Sequence, residues 1–361
     1  MNKKQALVAV YIAVVGLFSC SEDVMPVPQA SGGTVADTAT TVSQVTQQQQ
    51  SDRSGDFYFG VTGQPLSVAP YTSIPAEKQV ELINSMGMNI YRFGIEYQIK
   101  SGEVTVPYLY KPLRKATTAG KLTLLPLIKA RTLNFDKTEE ENYQNGLDHG
   151  TKLATWYKDD LTYYEIGNEH DNTCIIRGTA NAGIKVSDYD GQKLRIIAAT
   201  LKGMADGIKA IDADAQIIVN AGWMHTGYMD KMIELGVPID IIGWHWYSDM
   251  EKNAEKTYGI TDIGQYLYER YKKTIWFTEF NLKANSDGTP MNEADQQAFI
   301  DSFLSKCKKN PHVGAAVIWE LLDQPHRTPD ERNYGIATYV DNASNSFLPK
   351  IFAKTYSTLF N

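Results

Sequence analysis

The sequence predicts an α/β fold, and three observations lead to this prediction. From Asp56 onward, short apolar runs alternate with longer segments of helical period, as in parallel strands joined by crossover helices. There are eight such runs, so each strand–helix unit has about 38 residues. The chain of 361 residues is 43% hydrophobic, which is enough apolar surface for a large core. Together these features predict a (β/α)8 TIM barrel.

The eight predicted strands are short apolar runs separated by helical segments. In chain order they are FYFGVT from Phe57, MNIYRFG from Met88, KLTLLPLI from Lys121, TYYEIGN from Thr162, QIIVNA from Gln216, IDIIGWHW from Ile239, TIWFTE from Thr274 and VGAAVIW from Val313. Between the first two runs, Pro75 suits the start of a helix and Gly87 its end. After the fourth run, an apolar stripe at spacings of three and four predicts a helix that faces the core. Its members are Leu194, Ile197, Leu201, Met204 and Ile208.

A doubly wound open sheet is the main alternative fold. Such a sheet normally carries a Gly-rich phosphate turn after its first strand. Here the corresponding stretch reads GVTGQPLS, which does not match G-x-G-x-x-G. We therefore favour the closed barrel.

The N-terminal part of the chain has the composition of an export signal followed by a tether. Residues 1–20, MNKKQALVAVYIAVVGLFSC, contain two lysines, an apolar stretch and a final Cys20. Residues 21–55 are rich in Ser, Thr, Gln, Gly and Pro, which predicts a flexible tether. The folded domain is expected at residues 56–361. An uncleaved membrane anchor is the alternative interpretation of the first segment.

The signal segment also resembles a known class of anchor. LFSC is similar to a bacterial lipobox, and the SED that follows resembles Bacteroidetes surface-lipoprotein signals. The resemblance implies that Cys20 is lipidated and becomes the mature N-terminus. It implies an outer-membrane lipoprotein on the cell surface or the periplasmic face, held to the membrane only by its lipid. We expect the protein to be a monomer.

Composition narrows the range of partners. The 35 basic and 42 acidic residues are scattered and give a net charge of −7, so we expect no nucleic-acid partner. The 21 tyrosines and 6 tryptophans suit the apolar faces and hydroxyl edges of sugars, although most of them are expected to pack in the core. Beyond the signal, Cys174 and Cys307 either form a disulfide or remain buried thiols.

Two predicted strands end in glutamates. In a barrel of this kind, catalytic residues lie at the C-terminal ends of the strands. YYEIGNEHD ends the fourth run with Asn168 and Glu169, and WFTEFN ends the seventh with Glu279. Glu169 and Glu279 lie three strand–helix units apart in the chain. Their separation is about 37 residues per unit, which matches the average unit length of about 38 residues. Two carboxylates facing one pocket are what glycoside hydrolysis requires, and a structural ion pair is the alternative. Glu165, four residues deeper, is expected inside the barrel as support.

These strand ends resemble those of clan A glycoside hydrolases. EIGNE ends the fourth strand and FTEF ends the seventh, and the resemblance covers the chain from Asp56 to its end. It implies retaining hydrolysis of a β-linked poly- or oligosaccharide by double displacement, with Glu169 as acid/base and Glu279 as nucleophile. The closest groups are the family of β-xylosidases and bacterial exopolysaccharide endoglycosidases, and the cellulase-like family 5.

Further matches to the clan give the predicted substrate-binding residues. These are Arg92, Asn168, Trp223, His245, Tyr247 and Trp319. Asn168 is expected to donate to the sugar 2-hydroxyl, and His245 to bind another hydroxyl. Trp319 is expected to form the stacking floor, and Trp223 is a further candidate platform.

The resemblance also implies a charge arrangement for the two glutamates. Arg92 near Glu279 is expected to hold the nucleophile ionised, with a hydrogen bond from Tyr247. Glu169, facing that anion in a drier pocket, is then expected to keep its proton and act as the acid.

One departure from the clan pattern leaves alternatives open. Many clan members have proline after the acid/base glutamate, whereas this chain has His170, followed by Asp171. The pair raises the alternative of a metal site, but no H-E-x-x-H spacing supports it, and we expect neither metal nor cofactor. Two other functions stay open. They are a noncatalytic glycan-binding surface lipoprotein, which has no need of both glutamates, and a transglycosylase, which differs only in the acceptor.

Overall fold

The computed structural model describes residues 57–95, 98–100, 103–176, 183–341, 346–351 and 353. The predicted signal of residues 1–20 with Cys20, and the predicted tether of residues 21–55, lie outside the described residues. Within the described part of the chain, no helix is both long and apolar enough to cross a membrane.

Eight parallel strands form a closed barrel, which confirms the predicted fold class. In chain order they are β1 (Tyr58–Gly63), β2 (Ile90–Gly94), β3 (Thr123–Ile128), β4 (Tyr163–Ile166), β5 (Gln216–Gly222), β6 (Ile241–Tyr247), β7 (Ile275–Asn281) and β8 (Val313–Ile318). Each strand overlaps the apolar run predicted for it. The ring closes where β1 pairs in parallel with β8.

Helices connect the strands around the outside of the barrel. Those in the described part of the chain are α1 (Ala76–Ser85), α2 (Tyr110–Ala119), α3 (Glu139–Tyr157), α4 (His170–Cys174), α5 (Gly191–Ile211), α6 (Thr226–Glu234), α7 (Ser248–Tyr258), α8 (Ile263–Tyr271) and α9 (Glu293–Lys309). Short 3-10 turns cover Tyr71–Ser73 and Val186–Asp188. Two small hairpins lie outside the barrel sheet, Gln98–Lys100 with Glu103–Thr105 and Ala337–Asp341 with Ser346–Pro349.

Local sequence sets the ends of several helices. As predicted, α1 follows Pro75, and the chain leaves it through Gly87 at φ +68°. At the start of α3, Thr138 and Glu141 form a reciprocal capping box between side chains and backbone N–H groups. The side chain of Asp190 caps α5 in the same region of the fold.

Helices α3 and α5, which precede and follow β4 in the chain, touch each other at the level of their backbones. Both contribute glycines at which an added Cβ would overlap the partner helix: Gly146, Gly150, Gly203 and Gly207. For example, a Cβ on Gly203 would lie 2.1 Å from the carbonyl oxygen of Tyr143. The apolar stripe predicted for α5 is buried. We conclude that β4 is flanked by a tightly packed helix pair.

The two cysteines of the barrel domain are buried thiols. No disulfide joins Cys174 to Cys307. Burial raises the pKa of the Cys174 thiol to about 12, so it stays protonated at neutral pH. Of the two alternatives left open by the sequence, the structure therefore selects buried thiols.

The interior of the barrel has an apolar layer and a polar layer. Seven buried residues from six strands form the apolar layer: Ile90, Leu125, Ile218, Ile241, Trp276, Ala315 and Val317. Arg92 on β2 and Asn220 on β5 are also buried. Each lies two residues after a member of the apolar layer and therefore on the same side of its strand. The interior therefore becomes charged towards the C-terminal ends of the strands.

Candidate active site

Arg92 on β2 is fully buried and bridges two carboxylates. Its Nε donates to Oε2 of Glu165 at 2.5 Å, and its Nη1 donates to Oε1 of Glu279 at 2.8 Å. Asn220 Nδ2 also donates to Glu165, at 2.7 Å. Burial alone would raise the pKa of Glu165, but the charge of Arg92 lowers it to about 2. Glu165 is thus a buried anion that supports Arg92, and it lies inside the barrel as predicted.

Glu279 on β7 is held by three donor groups. Besides the guanidinium of Arg92, the hydroxyl of Tyr247 donates to its Oε2 at 3.2 Å. His245 Nδ1 lies 3.4 Å from the same oxygen. The side chain keeps 10% of its surface exposed, so it is reachable from the mouth of the barrel.

Glu169 follows β4 in a left-handed backbone conformation, with φ +49° and ψ +42°. This region is uncommon for a residue with a side chain and is often found at functional sites. The conformation is supported by the backbone N–H of Glu169, which donates to Oδ1 of Asn220 at 2.8 Å. On the carboxylate, Oε1 lies 2.8 Å from His245 Nδ1, and Oε2 accepts from Asn172 at 3.4 Å.

His245 on β6 is fully buried between the carboxylates. Its Nδ1 faces Glu169 and Glu279, and its Nε2 lies 3.8 Å from Glu165. Burial would lower the pKa of His245, but the charge of Glu279 and contacts with the other two glutamates raise it to about 10. At neutral pH the imidazole is therefore a cation.

This cation changes the proton distribution predicted for the site. Burial tends to raise the pKa of Glu169, yet its hydrogen bond with His245 and the charge of His245 lower it below the ordinary value. In the free site the proton therefore lies on His245 rather than on Glu169. The prediction that Glu169 keeps its own proton is wrong for the free site, because an imidazolium stands between the two carboxylates.

The two candidate catalytic carboxylates are close together. One oxygen of Glu169, one oxygen of Glu279 and one ring nitrogen of His245 all lie within 4.8 Å of one another. Carboxyl groups about 5–5.5 Å apart are typical of retaining glycosidases, whereas inverting enzymes have about 6.5–9.5 Å. The nearest oxygens of Glu169 and Glu279 are therefore no further apart than 4.8 Å.

The same three side chains are donor types that bind divalent cations. A metal-binding imidazole must offer an unprotonated nitrogen. The raised pKa of His245 instead keeps its ring protonated at neutral pH. A metal ion at the Glu169–His245–Glu279 group would have to displace this proton to bind.

A cleft of about 1120 Å³, counted up to its open mouth, lies above these residues. Four predicted site residues line it together with Glu279: Asn168, Glu169, Tyr247 and Trp319. The Oδ1 of Asn168 is buried and has no hydrogen-bond partner. The next residue, Glu320, is fully buried and is not among the residues that line this cleft.

Two residues singled out in the sequence lie elsewhere. Trp223 is not one of the described residues that line the cleft. Its backbone has φ +49°, and its ring stacks on Trp246 with the ring centroids 6.2 Å apart. His170 packs behind Glu169, where its ring occupies the space beside Gly167. Neither placement supports a direct contact with substrate in this cleft.

Asp171 is not a partner of His170. Its Oδ2 lies 2.5 Å from Nδ1 of His225 and accepts from the backbone N–H of Gly222 at 3.2 Å. Asp171 is fully buried. It therefore ties α4, which begins directly after Glu169, to the end of β5.

Four charged residues that the sequence did not predict also line the cleft. Lys129 follows β3, Lys283 follows β7, and Arg327 and Glu331 lie in the segment after β8. The position of Lys129 directly after a predicted strand was a usable signal. The other three lie on long connections whose path the apolar pattern does not predict.

Part of the chain matches a known family model. Residues 189–331 match the family model described as glycosyl hydrolase catalytic core, a range that contains Glu279 and begins after Glu169. The chain matches no curated protein in sequence.

Solved structures with the same fold cover most of the chain. A family 1 β-glucosidase from Thermotoga maritima is similar over 84% of this chain and 97% of its own, with 14% identity and a TM-score of 0.58. The β-glycosidase from Thermosphaera aggregans covers 84% of this chain and 96% of its own, with 11% identity and a TM-score of 0.60. A β-glucosidase from Pyrococcus furiosus is similar over 84% of this chain and 95% of its own, with 12% identity and a TM-score of 0.57. The likeness to these structures shows the barrel fold, and the match to a glycosyl hydrolase catalytic core indicates that the chain is a glycosidase.

Proposed function

We propose that the protein is a clan A retaining glycoside hydrolase that cleaves β-glycosidic bonds of a poly- or oligosaccharide. The observation that carries the proposal is the approach of Glu169 and Glu279 to within 4.8 Å at the mouth of the barrel. Such a separation suits direct attack by one carboxylate and proton transfer by the other. The positions of the two residues after β4 and on β7 further support this proposal.

Glu279 acts as the nucleophile. Arg92 and Tyr247 hold its carboxylate by hydrogen bonds at 2.8 and 3.2 Å, which fixes its direction. Its oxygen attacks the anomeric carbon and forms a covalent glycosyl-enzyme as the bond to the leaving oxygen breaks. Water then attacks the same carbon and releases Glu279 with net retention.

Glu169 acts as acid in the first step and as base in the second. To donate, it must take over the proton that His245 Nδ1 holds in the free site, 2.8 Å away. A developing negative charge on the leaving oxygen draws this proton through Glu169. In the second step, Glu169 accepts a proton from the attacking water and passes it back to His245 Nδ1, so the site returns to its starting state.

Two cleft residues bind the sugar at the reacting centre. Asn168 lines the cleft, and its Oδ1, which has no hydrogen-bond partner in the free site, accepts a hydrogen bond from a sugar hydroxyl. Trp319 lines the same cleft and supplies an aromatic face for stacking.

Azide rescue of two variants tests these roles. Glu169→Ala should still form the glycosyl-enzyme from an activated aryl β-glycoside, because a good leaving group needs little protonation. Azide should then restore turnover and give the β-glycosyl azide. Glu279→Ala lacks the nucleophile, so azide should attack the substrate directly and give the α-azide.

The exposed Glu234→Ala on α6 serves as the control and should keep normal activity without azide. Azides of the reverse configurations would exchange the two roles. If both variants keep normal activity, the site lies elsewhere. If the unaltered protein binds glycans without cleaving them, it is a glycan-binding protein, and if sugars accept the glycosyl group better than water does, it is a transglycosylase.

We also propose that the barrel is anchored to the outer membrane through a lipid on Cys20. The support is the lipobox-like LFSC and the low-complexity segment that follows it. In this arrangement the enzyme meets polysaccharide outside the cytoplasm, at the cell surface or in the periplasm.

A further inference from the structure

We propose that the substrate is an acidic saccharide, and that Lys129, Lys283 and Arg327 bind its carboxylate or sulfate groups. The inference rests on the proposed function, because it places the sugar chain in the same cleft.

The three basic residues lie on two sides of the cleft. In the order of strands around the barrel, β3 and β7 are four places apart, so Lys129 and Lys283 follow strands on opposite sides of the ring. Arg327, after β8, lies on the same side as Lys283. A sugar chain that crosses the catalytic carboxylates therefore meets a cation in either direction.

None of the three is neutralised by a described carboxylate at ion-pair distance. Arg327 Nε donates to the neutral side chain of Gln324 at 3.1 Å, and Lys283 Nζ lies 5.8 Å from the ring centroid of Tyr247. Elsewhere in the described chain, several arginines contact an Asp or Glu directly; these are Arg92, Arg114, Arg195 and Arg270. Lys283 and Arg327 interact electrostatically with Glu331 of the same cleft, but no described carboxylate forms an ion pair with them or with Lys129. Three cations without a described ion-pair partner in a protein of net charge −7 point to a ligand that supplies negative charge.

The local electrostatics keep these charges available. Burial would lower the pKa of Lys283, but Tyr334 and nearby acidic groups raise it, so the amine stays charged. Glu331 also lines the cleft and opposes an anionic ligand. Burial and the charge of Glu279 raise its pKa, which weakens that opposition.

Desolvation explains why a neutral sugar is a poorer fit. A sugar that fills the cleft displaces water from the cations, and a hydroxyl replaces that hydration only in part. A carboxylate or sulfate forms a charge-assisted hydrogen bond instead, which is roughly twice as strong as a neutral one. An anionic substituent is therefore the chemical group that matches these side chains.

Binding to matched oligosaccharides tests the inference. Calorimetry on the Glu279→Gln variant, which leaves the ligand intact, compares β-1,4-linked oligoglucuronate, cello-oligosaccharide and sulfated cello-oligosaccharide of one length. Oligomannuronate, manno-oligosaccharide and its sulfated form give a second set. In at least one set, we expect an anionic form to bind about 10-fold more tightly than the neutral form at low salt, and the ratio to shrink as salt rises.

Side-chain variants in the same background identify the cause. Lys129→Ala, Lys283→Ala and Arg327→Ala should each lower the ratio of anionic to neutral affinity by about 3- to 10-fold. Lys111→Ala removes an exposed lysine on α2 outside the cleft and should leave the ratio unchanged. The carboxylate and sulfate ligands show which of the two anions the cleft prefers.

The outcomes separate this inference from the proposed function. Equal affinity for neutral and anionic forms, a ratio unaffected by the three variants, or no binding in either set overturns the inference. Hydrolysis of neutral β-glycosides by the unaltered protein in that case leaves the proposed function standing. Selective binding of an anionic form without any hydrolysis instead upholds the inference and contradicts the proposed function.

Discussion

His245 gives the site its unusual proton distribution. It lies within 2.8 Å of Glu169 and 3.4 Å of Glu279, so one imidazole proton is shared by both carboxylates. Groups coupled this strongly titrate as a set, and an apparent pKa belongs to the set rather than to one residue. The pH dependence of catalysis should therefore follow the whole group.

The first residue-scale prediction concerns His245→Gln. In the unaltered site the shared proton is held by an imidazole whose pKa is raised to about 10. Without the imidazole, the proton must reside on a carboxyl group, which loses it at lower pH. We expect the alkaline limb of kcat/KM to move to lower pH, measured with a substrate that has a poor leaving group. A substrate with a good leaving group is the control and should be less sensitive, and an unmoved limb would contradict the shared proton.

A second prediction concerns the buried pair of Arg92 and Glu165. Glu165→Gln leaves a buried guanidinium with one charged partner fewer and should lower the free energy of unfolding by about 3–5 kcal/mol. The folded-state pKa of Glu165 is lowered from 4.5 to about 2, so its stabilising effect is complete above pH 4.5 and is lost as pH falls towards 2. As pH falls from 4.5 towards 2, the free energy of unfolding, measured with urea, should therefore fall less in Glu165→Gln than in the unaltered protein.

Glu139→Gln is the matched control, because Glu139 pairs with Arg195 on the exposed surface. An exposed pair contributes about 0–1 kcal/mol, so this variant should unfold almost as the unaltered protein does. Equal losses in both variants would show that the buried pair has no special role.

At the scale of elements, Asp171 connects the catalytic turn to the next strand. Asp171→Ala removes the contacts with His225 and with the backbone of Gly222 and should destabilise the fold by about 3 kcal/mol. Because α4 begins directly after Glu169, we expect the substitution to slow proton transfer by Glu169 as well. Turnover should fall more for substrates with poor leaving groups than for activated ones, as measured by steady-state kinetics.

Asn292→Ala, which removes the N-terminal cap of the distant helix α9, is the control for stability loss alone. It should lower stability without changing the ratio of the two substrate rates. A similar change of that ratio in both variants would mean that Asp171 acts only through global stability.

The sequence predicts elements well where one periodicity decides the outcome. Strand alternation and the repeat length were enough to bring Glu169 and Glu279 to one end of the barrel. The place of His245 between them depends on the register of β6 against β7, which shifts between Trp244 and His245. No local pattern encodes such a shift. Likewise, the left-handed backbone of Trp223 directs its ring to Trp246, and a strand pattern does not indicate it.

At the scale of the whole molecule, the proposed anchor sets how far the barrel reaches. Were residues 21–55 the flexible tether that their composition predicts, a chain of 35 residues would have a root-mean-square span of about 30 Å. We expect Cys20→Ala to release the protein from the membrane fraction or to leave its precursor unprocessed. Detergent phase partition and fatty-acid labelling measure this, with Cys307→Ala as the control for loss of a cysteine. Unchanged labelling and partition in Cys20→Ala would contradict the lipid anchor.

The glycine contact between α3 and α5 limits how the catalytic machinery moves. Where two backbones touch, there are no intervening side chains to change rotamer, so the helices cannot slide past each other by repacking. They precede and follow β4 in the chain. Any adjustment of Glu169 to an arriving sugar must then come from its own left-handed turn. Residues remote from every ligand thus set the freedom of motion of the proton donor.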